Sequence, residues 1–323
     1  MARIHRVDPT TTPGIRRVRS RGRFRYLDAE GRAVSEDTRQ RIRALVVPPA
    51  WTKVWISPDP DSHIQAVGTD AAGRRQYLYH QRWRTRRDLL KFDRALELAA
   101  ALPAARATAT RGLRSDDEQT RSLAVAFRII DRTALRIGSP HYLRQYGTRG
   151  LLTLRWADLQ FDGTTIALSF IGKMNQRQHL EFEDDDLAEW IAAQPARPHG
   201  ATLLRYRAGR RMRVLTASSV NAYICDVTGG PFTAKDFRTL RGTTTAALAL
   251  ADPAAADLDV NERELRAVDA VAAVLGNTRA VARSSYIDPR VFRAARTGRL
   301  IDRGVSVETG IRRLLSTERP RTP

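Results

Sequence analysis

The spacing of apolar positions changes along the chain and divides it. Up to about residue 80 the pattern is β-like. Residues 24–27 read as a strand with a turn at Asp28-Ala29-Glu30-Gly31, and 54–56 as a second strand stopped by Pro58. Residues 64–70 and 76–80 form a hairpin about Ala71-Ala72-Gly73. One short helix is expected over 35–45, capped by Ser35 and broken by Pro48-Pro49. From Asp88 the spacing becomes helical. Residues 88–102 make one helix, and a capping box at Ser115-Asp116-Asp117-Glu118 opens another. Its stripe Leu123, Phe127, Ile130, Ala134, Ile137 faces a core.

A brief return to strand spacing predicts a three-stranded antiparallel sheet from residues 151–156, 165–171 and 178–182, with turns at Asp162-Gly163 and Gly172-Lys173-Met174-Asn175-Gln176. After Asp184-Asp185-Asp186 the chain is expected to stay helical, over 216–227, 234–250 and 262–275. Gly276 closes the last of these, and Asp288-Pro289 opens a further helix. On the 234–250 helix, Phe237 and Leu240 point inward and Lys235 and Arg238 share the opposite side. The basic, Thr/Pro/Gly-rich residues 1–22 are expected to be partly disordered, and 318–323 disordered. The basic run 82–87 reads as a linker, so the domains are 1–86, β-rich, and 87–323, mainly helical. The fold class is α+β.

Composition narrows the function. With 55 Lys and Arg against 35 Asp and Glu, the 323-residue chain carries a formal charge of +20. That surplus asks for a polyanion, because every neutralised phosphate releases counterions. Nucleic acid leads and an anionic membrane surface follows, weakened because no run of 18 apolar residues appears. Cys225 is the single cysteine, and the His residues show no HExxH or paired ligand spacing. Neither a disulfide framework nor metal catalysis is expected, and no cofactor. Nearly all the positive charge is Arg; the lysines are Lys53, Lys91, Lys173 and Lys235. A Lys retained in such a chain suggests a need for an ammonium, whose proton affinity can be tuned where a guanidinium's cannot.

Singly, the candidate residues are ordinary. Arg136 is a helix-end arginine, Lys173 a hairpin lysine, and Arg238 one arginine among many. Asn277 could be a helix cap after a glycine, and Tyr286 a core aromatic. Tyr77 and Tyr79, on one face of their strand, could pack inward or present an aromatic, basic face with Gln76, Arg74 and Arg75 to a DNA groove.

Taken together, Leu135-Arg136-Ile137-Gly138, Leu151-Leu152-Thr153-Leu154, Phe170-Ile171-Gly172-Lys173, Lys235-Asp236-Phe237-Arg238-Thr239 and Gly276-Asn277-Thr278 followed by Ser285-Tyr286-Ile287 resemble the small type IB DNA topoisomerases of poxviruses and their bacterial relatives. Pro48-Pro49-Ala50-Trp51 and Gln76-Tyr77-Leu78-Tyr79 match as well, so the resemblance runs from about Val46 to Arg290. It implies a two-domain clamp on duplex DNA, monomeric and cytoplasmic (with the nucleoid if bacterial), that relaxes supercoils without ATP or metal. Tyr286 would be the nucleophile, Arg136 and Arg238 would hold the scissile phosphate, and Lys173 would protonate the leaving 5′ oxygen. Asn277 stands where poxvirus enzymes commonly have His, which leaves it a hydrogen-bonding role without proton transfer. Gln76, Tyr77, Tyr79, Tyr142 and Lys235 match DNA-contacting positions, which favours the groove-facing reading of the two tyrosines. The competing readings are a tyrosine recombinase, which usually has His where Lys235 stands, and a non-catalytic DNA-binding protein, against which the full residue set argues.

Overall fold

The computed structural model describes residues 3–316 except 21 and 196. The chain forms two compact units, residues 1–90 and 91–323. In the first, β1 (Ile15–Ser20), β2 (Arg23–Leu27), β3 (Thr52–Ile56), β4 (Ile64–Thr69) and β5 (Arg75–Tyr79) form one antiparallel sheet, order β2-β1-β3-β4-β5. Helix α1 (Glu36–Ala44) is capped by Ser35, whose hydroxyl accepts from Thr38 N–H. Its Ile42 is buried with Ile15, Val54, Ile56 and Ala66 in a small core. The expected partial disorder of residues 1–22 is corrected for 3–20 and 22, where Ile15 anchors β1 in that core and His5 pairs with Ser62; residues 1, 2 and 21 lie outside the described residues.

Helix α2 runs from Gln81 to Leu113, so the basic run expected to be a linker forms its first turns. Helix α3 (Glu118–Thr133) starts two residues later than the capping box implied. Asp117 is the cap, accepting from Thr120 N–H, while Glu118 accepts from Arg207 N–H. The helix ends at Thr133 because Ala134 turns left-handed at φ 52°. Then follow α4 (Pro140–Tyr146), the antiparallel sheet β6 (Leu159–Asp162), β7 (Thr165–Ile171) and β8 (Arg177–Glu183), and α5 (Asp185–Ala192).

The sheet exists as expected, but its first strand is 159–162. Residues 151–153 form a 3-10 turn instead. Leu151, Leu152 and Leu154 are all buried, and a short run buried on every side carries no period from which strand can be told from turn. A hairpin of β9 (Arg205–Ala208) and β10 (Arg211–Val214) interrupts the stretch expected to be wholly helical. Each strand alternates arginine with an apolar residue over only four positions, the shortest run in which that period can be read. The remainder is helical: α6 (Ala217–Thr228), α7 (Ala234–Leu250), α8 (Val260–Leu275), α9 (Arg279–Ser285), α10 (Pro289–Arg296) and α11 (Val307–Ser316). These pack around a core that includes Leu98, Phe127, Ile130, Leu154, Leu168, Phe237 and Val271. The fold is α+β, as the spacing implied. The tail 318–323 lies outside the described residues.

Candidate active site

Arg136 sits three residues beyond the end of α3. Its strand-like segment is held by Leu151 N–H donating to Arg136 O at 2.9 Å and Leu152 N–H to Ile137 O at 2.9 Å. The two backbones touch where Gly138 (φ 72°) meets Gly150: a Cβ on Gly150 would lie 2.6 Å from Arg136 O, so the close approach needs glycine. One residue back, Arg149 N–H donates to Ile171 O at 2.7 Å, at the end of β7 and just before Gly172-Lys173. One backbone network thus carries both Arg136 and Lys173.

Arg238 faces inward, correcting the expectation that it shares an outer side with Lys235. It is 6% exposed, whereas Lys235 is exposed. A buried guanidinium needs acceptors, and two helix ends supply them. Nη1 donates to Ala134 O and Nη2 to Leu275 O, each at 2.8 Å. Leu275 is the last residue of α8, and its carbonyl has no partner within the helix. Two of five N–H bonds are used in this way, and Nε has no partner.

Gly276, left-handed at φ 57°, ends α8, and Thr278 caps α9 by accepting from Val281 N–H. Asn277 is therefore not a cap. Its Oδ1 accepts from Arg136 Nη2, which also donates to Gly276 O at 3.2 Å, and its Nδ2 is left without a partner.

Tyr286 closes α9, half-buried, with the Arg238 guanidinium 5.0 Å from its ring centroid. Its carbonyl accepts from Thr243 Oγ at 3.2 Å, and a Cβ on Gly242 would fall 2.6 Å from that oxygen. Gly242-Thr243 on α7 thus seats the tyrosine. Burial alone would raise the phenol's pKa, but hydrogen bonding and charge from Arg238, with the charges of Arg136 and Lys235, bring it below the ordinary value. Burial and the Arg238 charge in turn lower the Arg136 guanidinium, partly offset by Tyr286. A phenol pulled down and free N–H donors beside it are the parts of a site for an anionic centre under nucleophilic attack.

Residues 80–296 match the family described as "Eukaryotic DNA topoisomerase I, catalytic core", and residues 23–70 that described as "Bacterial DNA topoisomerase IB, N-terminal domain". The chain belongs to the type IB DNA topoisomerases. A relative described as "DNA topoisomerase 1B", from Acanthamoeba polyphaga mimivirus, is 28% identical over 85% of each chain. The XerH site-specific recombinase in a pre-cleavage complex with difH matches 64% of this chain and about half (52%) of its own, at TM-score 0.33 and 14% identity.

Of the expected catalytic residues of this enzyme, Arg136, Arg238, Asn277 and Tyr286 converge. Lys173 is exposed on the β7–β8 hairpin, whose tip residues Met174 and Asn175 have positive φ. Together with Arg136 and Tyr142 it lines a cleft of about 300 Å³. Lys235 shares a second cleft, of about 310 Å³, with Arg136 and Arg238. Tyr142 stacks on Tyr146 at 5.8 Å. In the first unit, Tyr77 and Tyr79 stack at 6.0 Å, Arg75 lies over Tyr77, and Leu78 is the residue packed on the core. The core-facing alternative for Tyr77 is set aside. Gln76 lies on the Leu78 side of β5 and donates to Asp70 at 2.9 Å.

Gln178 went unread in the sequence. A Cβ on Gly172 would meet its Cγ at 2.7 Å, and one on Gly276 its Oε1 at 2.7 Å. It thus wedges between the residue before Lys173 and the residue before Asn277. Its signal is a polar residue in phase with Leu180 and Phe182, the inward side of β8. Gln178→Ala is expected to slow single-turnover cleavage by about 10- to 100-fold, the scale of an ångström-sized misplacement. If the loss comes from a displaced Lys173, a substrate whose leaving 5′ oxygen is replaced by sulfur restores most of the rate, since a thiolate leaves without an acid. An equal loss on both substrates would refute the link to Lys173.

Proposed function

We propose that the enzyme relaxes supercoiled duplex DNA through a covalent link to Tyr286. The phenolic oxygen gives up its proton to solvent and attacks a backbone phosphorus in line. The bond from phosphorus to the 5′ oxygen breaks, leaving a 3′-phosphotyrosine and a free 5′ hydroxyl. Negative charge builds on the equatorial oxygens, where the unspent N–H groups of Arg238, those of Arg136 and Asn277 Nδ2 meet it. An alkoxide leaves poorly, so Lys173 delivers a proton to it. The phosphotyrosine conserves the bond energy, and the 5′ hydroxyl reverses the step after the free end has rotated, without ATP. Charge stabilisation and acid catalysis both come from side chains, so the reaction as proposed needs no metal.

The observation that carries the reading is the Tyr286 ring against the buried Arg238, with donors left unpartnered around it. Gln76, Tyr77, Tyr79, Tyr142 and Lys235 are proposed DNA contacts, the tyrosines and Lys235 because they are exposed or partly exposed on faces rich in basic groups. No helix among the described residues is long and apolar enough to cross a membrane. An enzyme acting on DNA belongs where DNA is, and we place it in the cytoplasm as a monomer. The test is relaxation of a supercoiled plasmid in EDTA without ATP, expected to proceed through a ladder of topoisomers with protein joined to 3′ ends. Tight binding without relaxation would overturn it in favour of a recombinase needing its own sites, or of a binding protein.

A further inference from the structure

The largest cavity described is in the first unit and has no part in the chemistry above. It is a cleft of about 1,090 Å³ between the N-terminal segment, the start of β4, the end of β5 and the first turns of α2, and all its lining residues fall within residues 1–90. Pockets of this size enclose ligands of several rings. Its walls combine the guanidiniums of Arg3, Arg6 and Arg87 with the rings of His63, Tyr79 and Trp83, and none of the described lining residues is acidic. The rings already form a stack of edges and faces: His63 meets Trp83 edge-on at 4.8 Å and Tyr79 at 6.4 Å, and Arg6 lies over the indole at 5.7 Å.

Two donors in this wall are also unspent. His63 Nδ1 accepts from Val7 N–H at 3.1 Å, which puts the proton of the neutral ring on Nε2. Burial and the neighbouring charges of Arg6, His5 and Arg87 lower the pKa of that ring, which favours its neutral form. The indole N–H of Trp83 is buried with no acceptor.

Cations for phosphate, rings for stacking and N–H groups for base edges form the set that recognises an unpaired nucleotide. A duplex cannot offer its bases to these rings, because its base faces are stacked on one another.

We propose that this cleft is a binding site for unpaired DNA nucleotides, with a base stacked at Trp83 and its phosphates on Arg3, Arg6 and Arg87. The site is separate from the phosphate site at Arg238 and is not needed for strand cleavage. Arg6, which now covers the indole, is the group an incoming base displaces, after which it is free to take a phosphate. A strand end, a gap or a region opened by negative supercoiling would supply such nucleotides.

The test uses the full chain. Anisotropy of a labelled oligothymidylate should report binding. Trp83→Ala should weaken it by roughly 10- to 100-fold, the scale of losing one stacked base. Trp83→Phe, which keeps a ring, should retain most of the affinity and guards against a folding artefact. Arg6→Ala should weaken binding and flatten its salt dependence. Plasmid relaxation should be unchanged in all three, so failure here and failure of the relaxation reading are distinguishable. An unchanged affinity in Trp83→Ala would overturn the proposal. Tighter binding of oligouridylate would overturn the assignment to DNA.

Discussion

Tyr286→Phe is expected to abolish relaxation and to remove the covalent adduct, with a loss on the order of 10⁴-fold or more, as for other deleted nucleophiles. The change takes away one oxygen and little else. The ring keeps its place under the Arg238 guanidinium, and the main-chain contacts to Thr243 and over Gly242 do not involve the phenol. Fold and duplex affinity should therefore match the parent. The measurement is a plasmid time course beside a denaturing gel for protein-linked DNA, with thermal unfolding as the control. Relaxation by the variant at anything near the parental rate would show that another group attacks, and the site would have to be sought elsewhere.

Arg238→Ala is expected to produce two separable losses. Removing a charged donor from the phosphate site costs about 10²–10³ in cleavage rate. The same side chain joins the end of α3 to the end of α8 through Ala134 O and Leu275 O. Leaving those carbonyls unpaired costs about 1–3 kcal/mol for each that water cannot reach, so the melting temperature should fall as well. Arg238→Lys separates the effects, because an ammonium restores charge but cannot span both carbonyls and a phosphate. A third readout is the Tyr286 phenol. Its pKa lies below the ordinary value because Arg238, aided by Arg136 and Lys235, outweighs burial. Without Arg238 burial should dominate and the pKa should rise, moving the phenolate fraction, and any rate that depends on it, to higher pH. Titration of ring-labelled tyrosine by NMR reports this directly. An unchanged phenol pKa together with a rate within fivefold of the parent would remove Arg238 from the site; the fivefold limit is about 1 kcal/mol.

A neutral residue at 277 fits the same electrostatics. Asn277 is already engaged by Arg136, which lies near a second guanidinium. Its Oδ1 accepts one of Arg136's donors, and its Nδ2 is left to serve an oxyanion. An acceptor and a donor on one uncharged group suit a pocket that already holds one buried and one half-buried arginine.

What could be read without a fold were features encoded within a few residues of one another. The caps Ser35 and Asp288, the stop at Gly276, the inward stripe of α3 and the alternation of β5 each arise from local hydrogen bonding or from the period of side-chain direction. The residue set Arg136, Lys173, Arg238, Asn277 and Tyr286 was legible as an ordered pattern. Its spatial arrangement was not. Arg136 and Asn277 are 141 positions apart, and Arg238 and Ala134 are 104 apart. Which face of α7 carries Arg238 inward depends on helix ends arriving from elsewhere with carbonyls to offer.

Burial hid other features. The leucines at 151, 152 and 154 look the same as strand or turn once every side is covered, and β9 and β10, at four residues each, are the shortest runs in which alternation can signal a strand. Gln178 matters only because Gly172 and Gly276 meet across it. Trp83 matters only because the N-terminal segment folds back over α2 beside His63. Local propensity and capping are short-range and travel with the sequence. Pairing across more than a hundred residues is decided by packing, since only the assembled core determines which polar groups lose water and must find one another.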